Sequence, residues 1–137
     1  MKDYNGFSGD YRQKVYNQQK SLGLMLEIAK QPCDICGIHA PNMMGHTEDY
    51  DNVYDLRPVC VECHMKLHAR FSRAGAWINH LKQVAAGYRC RPWTSVWDYF
   101  GNQQDNRYPE YANIDPATLG DKWYHKLLMT KINLNHE

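Results

Sequence analysis

The chain has 137 residues, 43% hydrophobic and 12% aromatic, with a formal net charge of +1. That suffices for one compact domain with a modest core and is too aromatic for global disorder. No apolar run approaches the roughly 18 residues that span a membrane, and Met1-Lys2-Asp3-Tyr4 opens no signal-peptide core, so a cytoplasmic protein without a membrane partner is expected.

Ser8 or Asp10 can cap a first helix, whose apolar residues Tyr11, Val15, Leu22, Leu26 and Ala29 recur at helical spacing. Gly23 interrupts it, which leaves Leu24 to Ile28 open to helix or extended chain, and Pro32 ends the segment. Two C-x-x-C knuckles follow, Cys33-Asp34-Ile35-Cys36 and Cys60-Val61-Glu62-Cys63, with 23 residues between them. Four thiolates at about 2.3 Å make the closed tetrahedral site that structural zinc prefers. Between the knuckles, Met43 to Thr47 and Tyr54 to Val59 read as short strands around a polar loop, Glu48 to Asn52. Pro58 marks the second as an edge strand or strand end.

A helix is predicted from about Cys60 to Phe71 or Ser72, burying Leu67 and Phe71, with Met65 a further candidate. Gly75 to Ala86 reads as another, with Trp77, Ile78, Leu81, Val84 and Ala85 as its apolar stripe and Gly87 as its stop. Tyr88 to Phe100 mixes aromatics with Arg89 and Arg91, and Gly101 to Asp121 reads as a long loop with one turn at Asp115-Pro116. Asp121 is expected to cap a last helix, Lys122 to Ile132. The expected fold is α+β. A small treble-clef zinc domain, hairpin plus helix, occupies 32–74 between an N-terminal helical segment, 1–31, and a helical, aromatic-rich extension, 75–137.

Five cysteines, four in paired knuckles, fit a zinc site in a reducing compartment better than disulfides. Cys90 is left over and reads as a buried or half-buried free thiol. Zinc with four thiolates adds −2, taking the formal +1 to about −1. The distribution of charge says more. From Arg57 to Arg91 seven basic residues face Glu62 alone, while Asn42 to Asp55 carries four acids and no base. A basic helix region beside an acidic loop suits a protein that grips phosphates while binding a cation.

The second knuckle runs straight into His64-Met65-Lys66-Leu67-His68, whose two histidines share one helix face. Together with Gly45-His46-Thr47-Glu48-Asp49-Tyr50 and Arg57-Pro58-Val59 before the second knuckle, this string resembles the HNH endonuclease superfamily. The resemblance is to its zinc-knuckle branch, much of it phage-encoded, and covers about Pro32 to Phe71. It implies a DNA phosphodiesterase in which His46 is the general base, and His64 and His68 hold a catalytic Mg²⁺ or Mn²⁺. Cys33, Cys36, Cys60 and Cys63 would hold the structural zinc, and Arg57, Lys66, Arg70 and Arg73 would grip flanking DNA phosphates. Two positions differ from the family: Gly45 stands where a His or Asp ligand is common, and Asn52 is the loop's one candidate for the Asn that braces the base. Glu48 or Asp49 could supply the missing ligand.

Each histidine also has a plain structural role open to it. His64 can hydrogen-bond the zinc thiolates, His68 can lie on a helix surface, and His46 can serve the hairpin. His39, His80, His125 and His136 have no partners at ligand spacing and read as surface residues. The rival function is a non-catalytic zinc module that binds nucleic acid or a protein, such as a phage-encoded regulator or inhibitor. The aromatic C-terminal region, including Trp93, Trp97, Tyr99 and Trp123, could be a protein-partner surface in either case, or the core of a helical extension.

Overall fold

The computed structural model describes residues 1–102 and 119–128. It is an α+β arrangement of helices around one two-stranded antiparallel hairpin. Helix α1, Gly9–Ser21, starts at Ser8, whose hydroxyl accepts from the Tyr11 amide. Gly23, with φ of 75°, turns the chain into a second, short helix, α2, Leu24–Ala29, and so resolves that segment as helical. Strands β1, Met44–His46, and β2, Arg57–Val59, pair with Gly45 opposite Pro58.

Helix α3, Val61–His68, begins at Cys60 and tightens into a 3₁₀ turn at Ala69–Phe71. Helix α4, Ala74–Ala85, buries Trp77, Ile78 and Leu81. Its chain reverses just after Gly87, at φ of 111°. An unexpected short helix, α5, Val96–Gly101, is capped by Ser95. A single apolar cluster runs from Tyr4 through Val59, Leu67 and Trp77 to Leu127, so segments from across the chain share one core. No helix among the described residues is long and apolar enough to cross a membrane.

The last predicted helix is corrected. Only a 3₁₀ turn, Trp123–His125, forms after Asp121, and Lys126 to Leu128 are not helical. Tertiary bonds account for this: Trp123 Nε1 donates to Asp34, and the Leu128 carbonyl accepts from Arg70 instead of a helical amide. The remainder of that helix, the turn at Asp115-Pro116 and His136 lie outside the described residues.

Candidate metal and catalytic centre

The four knuckle sulfurs meet in the core. Cys33, Cys36, Cys60 and Cys63 are all buried, and their sulfurs lie within 4.8 Å of one another. Cys36 Sγ and Cys60 Sγ are 3.7 Å apart, close to the edge of about 3.8 Å that a tetrahedron with 2.3 Å bonds requires. Local folding builds each half. Gly37, at φ of 85°, lets its amide reach back to the Cys33 carbonyl, and the Ile35 and Cys36 amides point at Cys33 Sγ. Cys60 and Cys63 lie at the N-terminus of α3, where backbone amides and the helix dipole favour thiolates. The Asp34 amide donates to the Pro58 carbonyl and so ties the first knuckle to β2. Burial pushes the Cys63 thiol well up, so a thiolate there needs a cation beside it. The donor set fits a soft divalent ion such as zinc.

The histidines meet as well. His46 from β1 and His64 and His68 from α3 place ring nitrogens within 4.8 Å of one another. They line a cavity of about 300 Å³ with Arg12, Tyr16 and Tyr50. Burial lowers His64 well below its ordinary value and takes His68 to about 3. Burial likewise lowers His46, against the pull of Glu48. All three rings are therefore neutral at pH 7 and able to present lone pairs. Imidazole nitrogens suit Mn²⁺ or a later transition metal better than Mg²⁺, which prefers oxygen, so of the two catalytic cations expected Mn²⁺ fits the donors better.

Glu48 organises the site. Its Oε2 lies 2.6 Å from His46 Nε2, and its Oε1 lies 2.6 Å from the Arg70 guanidinium. Tyr4 and Asn5 donate to the same carboxylate. Burial alone would raise Glu48, but the His46 bond and the His46 and Arg70 charges hold it below the usual carboxylate range. An ionised Glu48 makes His46 Nε2 the protonated nitrogen and leaves Nδ1 as the lone-pair donor. The Trp123 indole stacks over His46 at 6.0 Å and 12°, and the Arg57 guanidinium lies 5.6 Å from the centroid of the Trp123 ring.

Several expected roles are corrected by these contacts. Arg70 has no exposed surface and donates to Glu48, Tyr4 and the Leu67 and Leu128 carbonyls, so it is an internal brace unable to meet a phosphate. Arg57 and Arg73 are exposed and Lys66 is half-buried. Asn52 does not brace His46: its side chain accepts from the Tyr54 amide, and Glu48 bonds His46 instead. The acidic loop residue Asp49 accepts from the Asp51 amide. At Gly45 a Cβ would fall 2.7 Å from Leu56 Cδ1 and 3.2 Å from Met25 Cε, so α2 and Leu56 occupy the space of a side chain there.

His80 is not a surface residue. It is fully buried, with Nε2 3.2 Å from Cys63 Sγ. Its position was readable, since it falls three residues after Trp77 on the α4 stripe. Cys90 is buried as expected but is no bystander, because its sulfur lies 3.5 Å from that of Cys63. His39 is exposed, as expected, and His125 is half-buried. In the aromatic region Trp97 is exposed while Tyr99 is buried in the core. Compared with family models, curated proteins and solved structures, the chain matches none significantly.

Proposed function

We propose that the chain is a small HNH-type nuclease that hydrolyses DNA phosphodiesters, built on a treble-clef zinc module. The observation that carries this reading is the convergence of His46, His64 and His68, from a strand and a helix, on one cavity. The four-cysteine centre supports it by fixing α3 against the hairpin, and thus the helix histidines against His46. In this reading His64 and His68 hold a divalent cation. Such an ion, when bound, polarises the scissile phosphate and stabilises the leaving oxygen. His46 takes the proton of the attacking water on Nδ1. Glu48 fixes its tautomer from the other side and stabilises the imidazolium that forms. The lowered pKa keeps His46 unprotonated and available at neutral pH. Arg57, Lys66 and Arg73 supply phosphate contacts that position DNA without reading its sequence.

One observation favours a second reading of His46. Its ring nitrogen and those of both helix histidines all lie within 4.8 Å of one another, so three imidazoles can share one ion with a position left open.

The test is nicking of supercoiled plasmid by zinc-replete protein with Mn²⁺ or Mg²⁺, alongside calorimetric titration of the cation. His46→Ala should lower cleavage roughly a hundredfold or more and leave cation affinity unchanged if His46 is the base. Loss of both would make it a ligand. His68→Ala should lose cleavage and regain part of it in excess metal. Wild-type protein that cuts no DNA under these conditions would refute the nuclease and leave a zinc module that binds nucleic acid or protein.

A further inference from the structure

Cys63 serves two groups of donors. One is the knuckle set, and the other is Cys63, His80 and Cys90, whose donor atoms also lie within 4.8 Å of one another. From these contacts we infer that the cysteine core holds two soft divalent ions, zinc in the cell, with Cys63 bridging them and His80 and Cys90 completing the second site. The inference rests on the four-cysteine centre and is independent of the nuclease reading.

The Cys63–Cys90 distance suits it, and His80 stands slightly closer than a tetrahedral pair. Cys63 Sγ lies 3.2 Å from His80 Nε2 and 3.5 Å from Cys90 Sγ. Two donors on one tetrahedral zinc stand about 3.5–3.8 Å apart, given bonds of about 2.0–2.3 Å. The second site is also built. Cys90 lies in an irregular stretch whose two sides are pinned to one carboxylate: Tyr88 Oη donates to Glu62 Oε2 at 2.6 Å, and Trp93 Nε1 to Glu62 Oε1 at 3.1 Å. Glu62 precedes Cys63 on α3, so this clamp sets Cys90 against the bridging sulfur. His80 arrives from α4, held between the Trp77 and Tyr88 rings. Among the described residues its Nδ1 has no hydrogen-bond partner, so no neighbour commits Nε2 to carrying the proton.

Charge is compatible with a second ion when Cys90 is ionised by it. Four thiolates around one zinc carry −2, and a fifth thiolate in the same core would make −3. A second divalent ion brings the cluster to about −1. With Cys63 shared, one ion has four donors and the other three, which leaves the second a vacant position. The contrasting arrangement has a single ion, with the His80 N–H and Cys90 S–H donating to the Cys63 thiolate.

Full-length protein reconstituted with cadmium-113 separates the two. Nuclear magnetic resonance should show two thiolate-ligated cadmium signals per chain, split by cadmium–cadmium coupling through the shared sulfur. A cadmium held by the three histidines of the cavity would resonate far from that range and would not be counted. Cys90→Ser and His80→Ala should each remove one thiolate signal and the coupling while retaining the other. A single thiolate-ligated signal in the wild-type chain overturns the second site and leaves the four-cysteine centre intact. Absence of any such signal overturns both. Two signals that survive unchanged in Cys90→Ser also overturn it.

Discussion

Arg70 has no contact with solvent, yet its guanidinium reaches Glu48, Tyr4 and two backbone carbonyls. Removing one partner of such a pair strands the other in low dielectric. Arg70→Met should therefore cost roughly 3 kcal/mol, read as a lower urea midpoint. Arg70→Lys should recover little of it, because an ammonium cannot span four partners in a plane. In the sequence, Arg70 looks like its neighbours Lys66 and Arg73. Charge is legible there, but depth is not, since its burial depends on Tyr4 and Leu128, 66 and 58 residues away. Of the residues proposed to grip phosphates, Arg57 and Arg73 face solvent and carry the electrostatic prediction. Replacing both with Ala should reduce the slope of log affinity against log salt by about two, if each meets one phosphate. Gly45 shows the opposite limit of legibility. Its identity is plain in the sequence, but the Leu56 and Met25 contacts behind it are not. Gly45→Asp, which places there an acidic residue common in the family the sequence resembles, should cost about 1–3 kcal/mol through overpacking and leave cation affinity unimproved.

Among the elements, α3 joins the two metal sets. Its first turn carries Cys63 and His64, and its second ends in His68, a geometry that follows from helical spacing and was readable without coordinates. The hairpin and the α4 stripe were readable for the same reason, because periods of two and 3.6 survive in short segments. The last helix misled because a capping Asp and good helix formers describe only local preference. There Trp123 and Leu128 bond to other parts of the fold. Helix α1 depends on a local device that the sequence did announce. Ser8→Ala should remove the bond to the Tyr11 amide and cost about 1 kcal/mol, measurable as a small drop in melting temperature.

At the scale of the molecule, a metal held by the four cysteines and protons would compete for the same core. Chelation should collapse the near-UV spectrum of the aromatic core, since apparent zinc binding energies of roughly 10–16 kcal/mol exceed typical domain stability. Acid should act in the same direction. His68 and His80 are lowered from 6.5 to about 3 and about 4, and His46 and His64 are also lowered, all chiefly by burial. Groups with depressed values contribute stability that is fully present above the unfolded value and is lost as pH falls toward the folded one. Melting temperature should therefore be flat from about pH 8 to about pH 7 and fall steadily between about pH 6.5 and about pH 4. A profile that rises on acidification through that window would mean the rings are charged in the folded protein.

The bonds of Arg70 also set an order of events. Tyr4, Glu48, Arg70 and Leu128 come from the start, the middle and the late part of the chain. During synthesis the first three can find one another early, but the guanidinium lacks its Leu128 acceptor until that residue has emerged from the ribosome. Nascent chains halted before Leu128 should bring the four knuckle cysteines together while leaving the His46–Glu48 pair loosely fixed, so the cysteine cluster forms ahead of the histidine cluster beside it.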